Sequence, residues 1–572
     1  MTLASKRLIW LSAAAFFSVL LFTTDCCELA ADETEQQHSR TRVQWTTSRL
    51  VGSPDPPPPF QAERIWPDLT FQSPISFAEA PSLGLHLVLE RRGVIKAFAS
   101  SGDPKDAFVM LDLWSHVQET EQAKIAAARD FVLDPNFESN GFLYIVWSIQ
   151  PHFVDGGTRI SRFEVTKENP PRIDPKTRID LLTYPSGDHI GACLRFGPDG
   201  MLYICTGDGA PPFPPDKLKT AQNLKDVRGS VLRIDVRGAT NEEPYVIPDD
   251  NPFLQHPNAR GEIFAFGIRN GFRAAFHPTT ERLWVADVGW ERCELVHQIS
   301  KGGNHGWSLF EGPYAVEPDQ PSGPGRPILP VIVMERDRAQ SITGGMFLPK
   351  TSSLVREDPS LTHQYVFGCY MNGTVWAADV SNPENPQLTV AAKTSLRLID
   401  FKLANVNDTP KGHKDLLMVD FGGGGIYRLV PNQQAQTSAF PRLLSQTGLY
   451  DDLNTLRPSP GVIAYQPKAT MYRGGAKGSR VIGIPGSEPI DRAYPNGTVL
   501  ANTISREVVT NSGEVKPKKL ETQILLLDGL DWKPYTYRWN DEETDASLVE
   551  AKGDRIPIRV PDAILGQRTT EH

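Results

Sequence analysis

The sequence predicts an all-β protein of two domains, and three features of its 572 residues support that prediction. The chain is longer than one hydrophobic core usually supports, so we expect two domains. Its 48 prolines and 46 glycines are spread along it, and few long segments have apolar residues at helical spacing, which favours short strands joined by turns. One phrase recurs at intervals of several tens of residues, with an apolar residue, a turn and then a strand rich in Leu, Val, Ile, Trp and Tyr. Its clearest copies are LDPNFESNGFLYIVW, FGPDGMLYICTGD, FHPTTERLWVADVG and DLLMVDFGGGGIYRLV. Such recurrence is typical of the four-stranded blades of a β-propeller.

The first element of the chain is an N-terminal segment typical of an export signal. Two basic residues precede an uncharged apolar run from Leu8 to Phe22, and small and acidic residues follow it. We therefore predict a signal peptide over residues 1–31, cleaved near Ala30 or Ala31. The run is shorter than the about 20 apolar residues of a membrane-spanning helix, and an uncleaved anchor is the minority alternative. The mature protein is then exported to a periplasmic or extracellular space and has no membrane span.

Three further segments follow the signal. Residues 32–61 are polar and then proline-rich, which predicts a disordered, extended linker. Residues 62–435 contain the recurrent phrase and are predicted to form the propeller. Residues 436–572 are predicted to form a smaller, mainly β C-terminal domain, in which YTYRW is interpreted as a core strand with alternate residues facing outward.

Charge and cysteine content exclude several function classes. The formal net charge of -9 leaves no basic surface for nucleic acid. After the signal the cysteines are Cys193, Cys205, Cys293 and Cys369, without any Cys-x-x-Cys pair, which excludes the usual c-type haem attachment and the common zinc frameworks. Cys193 and Cys205 are nearly symmetrical about the Pro198–Asp199 turn. They are expected to face each other across a hairpin, either as a disulfide or as two buried thiols.

The same hairpin is the strongest candidate for chemistry. Strand-like segments Leu194–Phe196 and Met201–Cys205 flank the turn Gly197–Gly200, so His189 and Asp208 should emerge at the same end. This places an imidazole base beside a carboxylate, which is an arrangement suited to proton abstraction. The alternative is that His189 is an ordinary polar loop residue.

Four segments together resemble a known family. They are GDHIGACLRFGPDGMLYICTGDG, GEIFAFGIRNGF, LWVADVGWERCELV and KGGNHGW. The pattern is similar to that of the glucose/sorbosone dehydrogenase family, soluble quinoproteins built on a six-bladed β-propeller with pyrroloquinoline quinone and calcium. The resemblance covers about Ile65 to Pro431 and implies six blades, whereas the spacing alone does not decide between five and seven.

The resemblance also implies roles for individual residues. It makes His189 the catalytic base and Asp208 the carboxylate that orients it, with Arg269, Asn270 and Arg397 on the quinone, and calcium held by the carbonyls of Gly289 and Trp290 with Glu294 as a nearby charge. Taken without the resemblance, Arg269 and Asn270 equally satisfy backbone groups at a blade end, and turn geometry explains Gly289.

Two positions depart from the family pattern. Pyrroloquinoline quinone carries three carboxylates, and the family supplies a lysine and a pair of arginines for them. Here Met371 stands where the lysine is expected, and Ile399 where the partner of Arg397 is expected. Two missing charge-assisted hydrogen bonds cost on the order of a few kcal/mol of affinity. A family phrase of the Glu-Gln-Gly type is also altered around Glu121 and Gln122.

Three functions follow as hypotheses. The first is an exported oxidoreductase that oxidises a sugar or polyol and transfers hydride to pyrroloquinoline quinone. The second is an inactive propeller that binds a glycan or protein partner, and the third is a calcium-dependent lactonase or esterase. The C-terminal part resembles a module that leads into a cytochrome c-like part in some large bacterial secreted proteins. No Cys-x-x-Cys-His occurs here, so a separate cytochrome is the expected external electron acceptor.

Overall fold

The computed structural model describes residues 42–54, 57–151, 153–406, 408–432, 440–468, 475–488, 490, 493–510, 512–529, 531–550, 553, 555–562 and 566–571. The expected signal peptide over residues 1–31 lies outside this set. The chain forms two compact units, Pro58–Ala435 and a second unit that combines Met1–Pro57 with Gln436–His572. No helix within the described residues is both long and apolar enough to cross a membrane.

Within the described residues, Pro58–Ala435 forms six four-stranded antiparallel sheets, which we call blades 1 to 6. The strands of this unit, including a short hairpin β17–β18 inserted in blade 4, are β1 Phe60–Ile65, β2 Pro74–Ala80, β3 Leu85–Glu90, β4 Val94–Ala99, β5 Phe108–Asp112, β6 Lys124–Leu133, β7 Phe142–Gln150, β8 Thr158–Val165, β9 Ile173–Tyr184, β10 Gly191–Phe196, β11 Leu202–Thr206, β12 Ser230–Ile234, β13 Ile263–Phe266, β14 Gly271–Phe276, β15 Leu283–Asp287, β16 Cys293–Gln298, β17 Phe310–Glu311, β18 Tyr314–Ala315, β19 Ile332–Glu335, β20 Ile342–Phe347, β21 Tyr365–Cys369, β22 Thr374–Asp379, β23 Gln387–Lys393, β24 Leu398–Ala404, β25 Asp415–Asp420 and β26 Ile426–Pro431. Blades 1 to 3 are β2–β5, β6–β9 and β10–β13, blade 4 is β14–β16 with β19, blade 5 is β20–β23, and blade 6 is β24–β26 with β1. The first strands β2, β6, β10, β14, β20 and β24 contact one another in turn and close a ring.

The two ends of the propeller unit meet in blade 6. Strand β1 pairs antiparallel with β26, in register from Phe60 opposite Pro431 to Ile65 opposite Ile426. The N-terminal strand is therefore the outermost strand of a blade whose other three strands come from the end of the unit. This pairing closes the ring with backbone hydrogen bonds and leaves no open sheet edge between first and last blade.

Helices are short and lie between strands. They are α1 Leu113–Glu121, α2 Phe137–Asn140 and α3 Ser353–Glu357, with 3-10 turns at Pro81–Leu83, Pro359–Leu361 and Leu444–Gln446. The start of α1 is capped by Asp112, whose side chain accepts a hydrogen bond from the Ser115 amide at 3.0 Å. These helices are short connections between strands. The all-β class predicted from the sequence is confirmed.

Charged residues of the first strands meet in a buried network at the centre of the ring. Asp400 on β24 accepts from Arg273 Nε on β14 at 3.0 Å and from Ser76 Oγ on β2 at 3.0 Å. Asp130 on β6 accepts from Arg195 Nη1 on β10 at 2.8 Å and from the same Ser76 hydroxyl at 2.7 Å. The network therefore joins blades 1, 2, 3, 4 and 6.

The network consists of paired charges that are buried from water. Both carboxylates are fully buried. Burial acts to raise the pKa of Asp130, but the charges of Arg195, Lys402 and Arg273 hold that pKa well below its usual value. Blade 5 contributes a glycine instead of a charge, because a Cβ on Gly344 would lie 2.7 Å from the Cβ of Arg273. The centre of the ring is thus filled by buried ion pairs, and each charge in them depends on its oppositely charged partners.

The second unit has its own sheet and core. Its strands are β27 Tyr450–Asp452, β28 Arg457–Pro458, β29 Val462–Tyr465, β30 Lys477–Gly483, β31 Val499–Val509, β32 Val515–Asp528, β33 Asp531–Trp539, β34 Ala546–Leu548, β35 Pro557–Asp562 and β36 Gly566–Glu571. Strands β29 to β34 form one six-stranded sheet in sequence order. On β33, Tyr537 and Trp539 are buried and Arg538 between them is exposed, as predicted for a core strand.

The expected disordered linker over residues 32–61 is wrong for the part of it that the structure describes. Trp45 and Leu50 are each only 4% exposed and belong to the core of the second unit. The Trp45 indole donates to the Gly448 carbonyl at 3.0 Å, and Gly483 leaves room for its ring, since a Cβ there would lie 2.5 Å from it. Composition predicted an unstructured segment because it does not register a single large aromatic anchor.

We predict that Asp400→Asn lowers the free energy of unfolding by about 3 to 5 kcal/mol, because it leaves Arg273 and Lys402 without their buried counter-charge. Urea unfolding followed by tryptophan fluorescence measures the loss. The matched control is Glu357→Gln, which removes an exposed partner of Arg356 and should cost less than about 0.5 kcal/mol. Equal, small losses for the two variants would contradict a structural role for the axial network.

Candidate active site

The β10–β11 hairpin of blade 3 brings the first two predicted residues together. The turn closes with the Gly200 amide donating to the Gly197 carbonyl at 2.9 Å. Beyond the other ends of the two strands, His189 Nδ1 lies 2.9 Å from Asp208 Oδ1. The predicted proximity of imidazole and carboxylate is therefore present. Cys193 and Cys205 are direct partners in the register of this hairpin, and both are buried free thiols.

Hydrogen bonding assigns the tautomer of His189. Its Nε2 lies 3.1 Å from Nη2 of Arg269. A guanidinium only donates hydrogen bonds, so Nε2 must be the acceptor nitrogen and Nδ1 must carry the proton that points at Asp208. The imidazole thus presents the lone pair of Nε2 on the side away from Asp208.

Asp208 is a fixed and fully buried partner. Its Oδ1 also accepts from the Ala210 amide at 2.8 Å, and its Oδ2 accepts from the Trp307 indole at 2.8 Å. These two donors hold the carboxylate in one orientation, so it fixes the ring of His189. Trp307, to which the sequence analysis assigned no role, is part of the site.

Arg269 follows β13 at the start of blade 4 and is almost entirely buried. Its Nη1 donates to the Val288 carbonyl at 2.8 Å, and its backbone amide donates to Asp287 Oδ2 at 3.1 Å. Its Nε has no partner within the described residues. Burial lowers the pKa of Arg269, against the opposing charges of Asp208 and Asp287. One N–H of this guanidinium is therefore available to an acceptor that the protein itself does not supply.

Asn270 serves the backbone of the propeller. Its side-chain oxygen accepts from the Gly191 amide at 3.0 Å, which ties the start of blade 4 to the first strand of blade 3. Its own amide donates to Asp287 Oδ1 at 2.6 Å. A contact from Asn270 to a quinone stays a prediction.

The loop after β15 contains the residues expected to hold calcium. The Trp290 carbonyl accepts from Arg336, and a carboxylate oxygen of Glu294 accepts from the same guanidinium. The other oxygen of Glu294 accepts from the Ile342 amide at 2.9 Å. Burial raises the pKa of Glu294 to about 7, against the opposing charge of Arg336. Gly289 is required here, since a Cβ would lie 1.7 Å from the Cys293 carbonyl oxygen.

Glu311 holds the same loop and was missed in the sequence. Its fully buried carboxylate accepts from the backbone amides of Trp290 at 2.6 Å, Arg292 at 3.0 Å and Cys293 at 3.2 Å. It belongs to a short hairpin inserted in blade 4 and lies about twenty residues downstream of its partners, so no local spacing pointed to it. Arg336 was missed for the same reason.

Three aromatic rings lead outward from the site. The Trp307 ring lies 5.5 Å from the guanidinium carbon of Arg269 and 6.3 Å from the ring of Trp290. The Phe213 ring lies 5.7 Å from Trp290 and is 64% exposed. The Trp290 indole donates to the Pro212 carbonyl at 2.8 Å, which fixes the order of the rings. The three rings form an apolar surface that runs from the buried contact of Arg269 with Trp307 to solvent.

The positions expected to bind the quinone carboxylates lie apart from this group. Arg397 is exposed and its guanidinium donates to the Met371 carbonyl at 2.6 Å. The Met371 side chain is 47% exposed, while Ile399 is 7% exposed and belongs to the core between blades. No hydrogen bond or ion pair joins Arg397 to His189 or Arg269 within the described residues. The structure therefore unites His189, Asp208 and Arg269, and leaves Arg397 outside their contacts.

Comparison with known proteins finds a family and several relatives. The family model described as Glucose / Sorbosone dehydrogenase matches residues 71–325. The HIPL1 protein of Arabidopsis thaliana is 30% identical over 292 residues, 44% of this chain and 40% of that protein. Hedgehog-interacting protein of Mus musculus is 34% identical over 209 residues, 34% of this chain and 28% of that protein. Aldose sugar dehydrogenase YliI of Escherichia coli (strain K12) is 28% identical over 199 residues, 35% of this chain and 48% of that protein.

A solved structure is also similar. A crystal structure of glucose dehydrogenase has a TM-score of 0.50 at 17% identity, covering 65% of this chain and 100% of that chain. At this identity the likeness shows the fold alone. The chain spans less than half the length of the curated relatives it matches.

We predict that Glu311→Gln loosens the loop from Gly289 to Glu294. Glutamine replaces one acceptor oxygen by an NH2 group that faces backbone N–H donors, so amides 290, 292 and 293 should exchange with solvent at least about tenfold faster. Hydrogen exchange measured by mass spectrometry tests this. Glu317→Gln is the control, because Glu317 pairs only with the exposed Lys219 and should leave exchange unchanged. Unchanged exchange in Glu311→Gln would show that the loop does not depend on this carboxylate.

Proposed function

We propose, from the premise that residues 71–325 belong to the glucose/sorbosone dehydrogenase family, that the propeller oxidises a hydroxyl group of a sugar or polyol. The observation that carries the proposal is the array of Asp208, His189 and Arg269, in which one imidazole nitrogen is protonated and tied to a carboxylate and the other accepts from Arg269, so that its lone pair becomes available when that guanidinium N–H turns to a bound acceptor. A lone pair held beside a buried cation is suited to accept a proton from a hydroxyl that the cation also contacts.

We assign a separate role to each of His189, Asp208 and Arg269. Nε2 of His189 takes the hydroxyl proton, and Asp208 stabilises the imidazolium that forms. Arg269 stands next to this proton transfer with a free N–H that can donate to a carbonyl oxygen. When bound, pyrroloquinoline quinone supplies the centre that accepts the hydride from the carbon bearing the hydroxyl. An external acceptor such as a separate cytochrome would take up the two electrons.

The residues present fit an acceptor group of such a cofactor better than they fit its carboxylates. The orphan N–H of buried Arg269 fits an acceptor group of a quinone. Arg397 can meet a carboxylate, but Met371 and Ile399 cannot. Two missing charged contacts weaken binding by on the order of a few kcal/mol. Two of the three donors expected for calcium, the Trp290 carbonyl and Glu294, are already used by Arg336, so calcium has no part in the proposed steps.

Two further features support a sugar substrate and an exported protein. The exposed Phe213 and the half-buried Trp290 give an aromatic surface next to the site, against which the apolar face of a sugar ring can pack. Residues 1–31 are typical of an export signal, which supports a reaction in a periplasmic or extracellular space.

A second candidate is a propeller that binds a glycan or protein without turnover. It draws on the similarity to Hedgehog-interacting protein and on the apolar Ile399 in the expected anion pocket. Binding on a glycan array that persists in His189→Ala, together with no turnover of any sugar, would favour this candidate over the dehydrogenase.

We predict that His189→Ala lowers kcat/KM for sugar oxidation by about a hundredfold or more, because the hydroxyl proton loses its base. Asp208→Asn should lower kcat more than it changes KM, since the imidazole loses its orientation and its counter-charge. Dye reduction by quinone-loaded protein over a panel of aldoses measures both effects. The control His256→Ala alters an exposed histidine and should retain full activity. No dye reduction by the unmodified protein with any sugar would overturn the proposal.

We predict that Met371→Lys tightens binding of pyrroloquinoline quinone by about tenfold, because it restores one cation of the expected anion pocket at an exposed position. Quenching of tryptophan fluorescence during titration with the quinone gives the dissociation constant. Val515→Lys adds the same charge at a half-exposed position of the second unit and serves as the control. If both variants bind as the unmodified protein does, Met371 does not border the quinone site.

A further inference from the structure

The loop expected to bind calcium contacts a positive charge of the protein itself. We infer that Arg336 is a built-in cation that takes the place of a divalent metal, so that the loop from Gly289 to Glu294 keeps its structure without calcium. Arg336 follows β19, the last strand of blade 4, and its side chain is 25% exposed.

Arg336 engages the expected metal donors directly. Its Nη2 donates to the Trp290 carbonyl, and its Nη1 donates to a carboxylate oxygen of Glu294. The same Nη1 donates to the Gln340 carbonyl at 2.7 Å. Two of the three residues expected at calcium thus face one guanidinium.

The other carboxylate oxygens at this loop are also in use. The second carboxylate oxygen of Glu294 accepts from the Ile342 amide at 2.9 Å and lies 3.4 Å from the Gly289 amide. Glu311, the other buried carboxylate at this loop, accepts from three backbone amides. Calcium needs six to eight oxygen ligands, so it would have to displace the guanidinium and break several of these bonds.

Charge balance leads to the same conclusion. Glu294 is fully buried and needs one positive charge beside it, which Arg336 supplies. A divalent ion at the same carboxylate would face Arg336 and also Arg269, whose charge acts on Glu294. Like charges a few ångströms apart repel strongly where water is excluded.

The geometry also explains why an arginine stands here. The acceptors belong to different residues, one a backbone carbonyl and one a carboxylate, and a planar guanidinium reaches both with a fixed fork of N–H groups. Lysine would offer the same charge from a single nitrogen. Arg336 would hold this position whether or not the propeller oxidises sugars.

The experiment compares melting temperatures in millimolar calcium chloride and in EDTA, without quinone or sugar, so its outcome is independent of the proposed oxidation. We expect the unmodified protein to melt within about 1 °C in the two conditions and to retain no calcium after dialysis, because a ligand stabilises only a protein that binds it. Stoichiometric calcium in the unmodified protein, measured by isothermal titration and elemental analysis, would overturn the inference.

The decisive variant is Arg336→Gln, which removes the charge and keeps part of the side chain. It should melt several degrees lower in EDTA, and calcium should restore about 3 °C or more, because the vacated carboxylate and carbonyl can then take a metal. Arg338→Gln is the control, since Arg338 is an exposed arginine in the same segment and its hydrogen bonds within the described residues are made by its backbone. Equal melting of Arg336→Gln and Arg338→Gln, with no calcium effect on either, would also overturn the inference. If Arg336→Gln does not fold, Arg336→Lys, which keeps the charge, should fold and show no response to calcium.

Discussion

The propeller depends on the pairing of charges where its first strands converge. Asp130 and Asp400 share one serine hydroxyl and face Arg195 and Arg273, and these residues come from blades that are far apart in sequence. A buried carboxylate without its partner is strongly destabilising, so the five blades that contribute to the network must all be in place before its charges are satisfied. The same strands lead directly into the site, because Arg195 lies six residues after His189 and Arg273 four residues after Arg269. The ion network at the axis therefore sets the position of the residues that carry chemistry.

The carboxylates around this site have two different roles. Asp208 acts on a side chain, since it fixes the tautomer and orientation of His189. Asp287 and Glu311 act on backbone amides, and each holds a turn that no regular strand could form. Glu294 is bound to a guanidinium at the point where the family resemblance implied calcium. The residues proposed for proton transfer are thus in contact with one another, while the cationic positions expected around a quinone differ from those of the family.

Local patterns in the sequence predicted much of this correctly. The turn between two apolar runs indicated the hairpin that joins His189 to Asp208, and alternation indicated the buried strand with Tyr537 and Trp539. Predictions that depended on distant partners fared less well. The linker expected to be disordered contributes Trp45 to the core of the second unit, and the loop expected to hold calcium is bound by Arg336. Glu311 was not predicted at all, because its partners are three backbone amides that leave no signature in side-chain spacing.

By itself the sequence determined the all-β class, the hairpin and the pairing of a base with a carboxylate, because each follows from residues within about twenty positions of one another. Only the tertiary structure decided that Arg269 meets Nε2 of His189, that the two ends of the propeller unit share blade 6, and that a guanidinium faces the expected metal donors. Those contacts join residues from 42 to more than 350 positions apart, as the separations of Glu294 from Arg336 and of Phe60 from Pro431 show. Hydrophobic periodicity specifies which face of a strand is buried, whereas the identity of the neighbour on that face depends on how the whole ring closes.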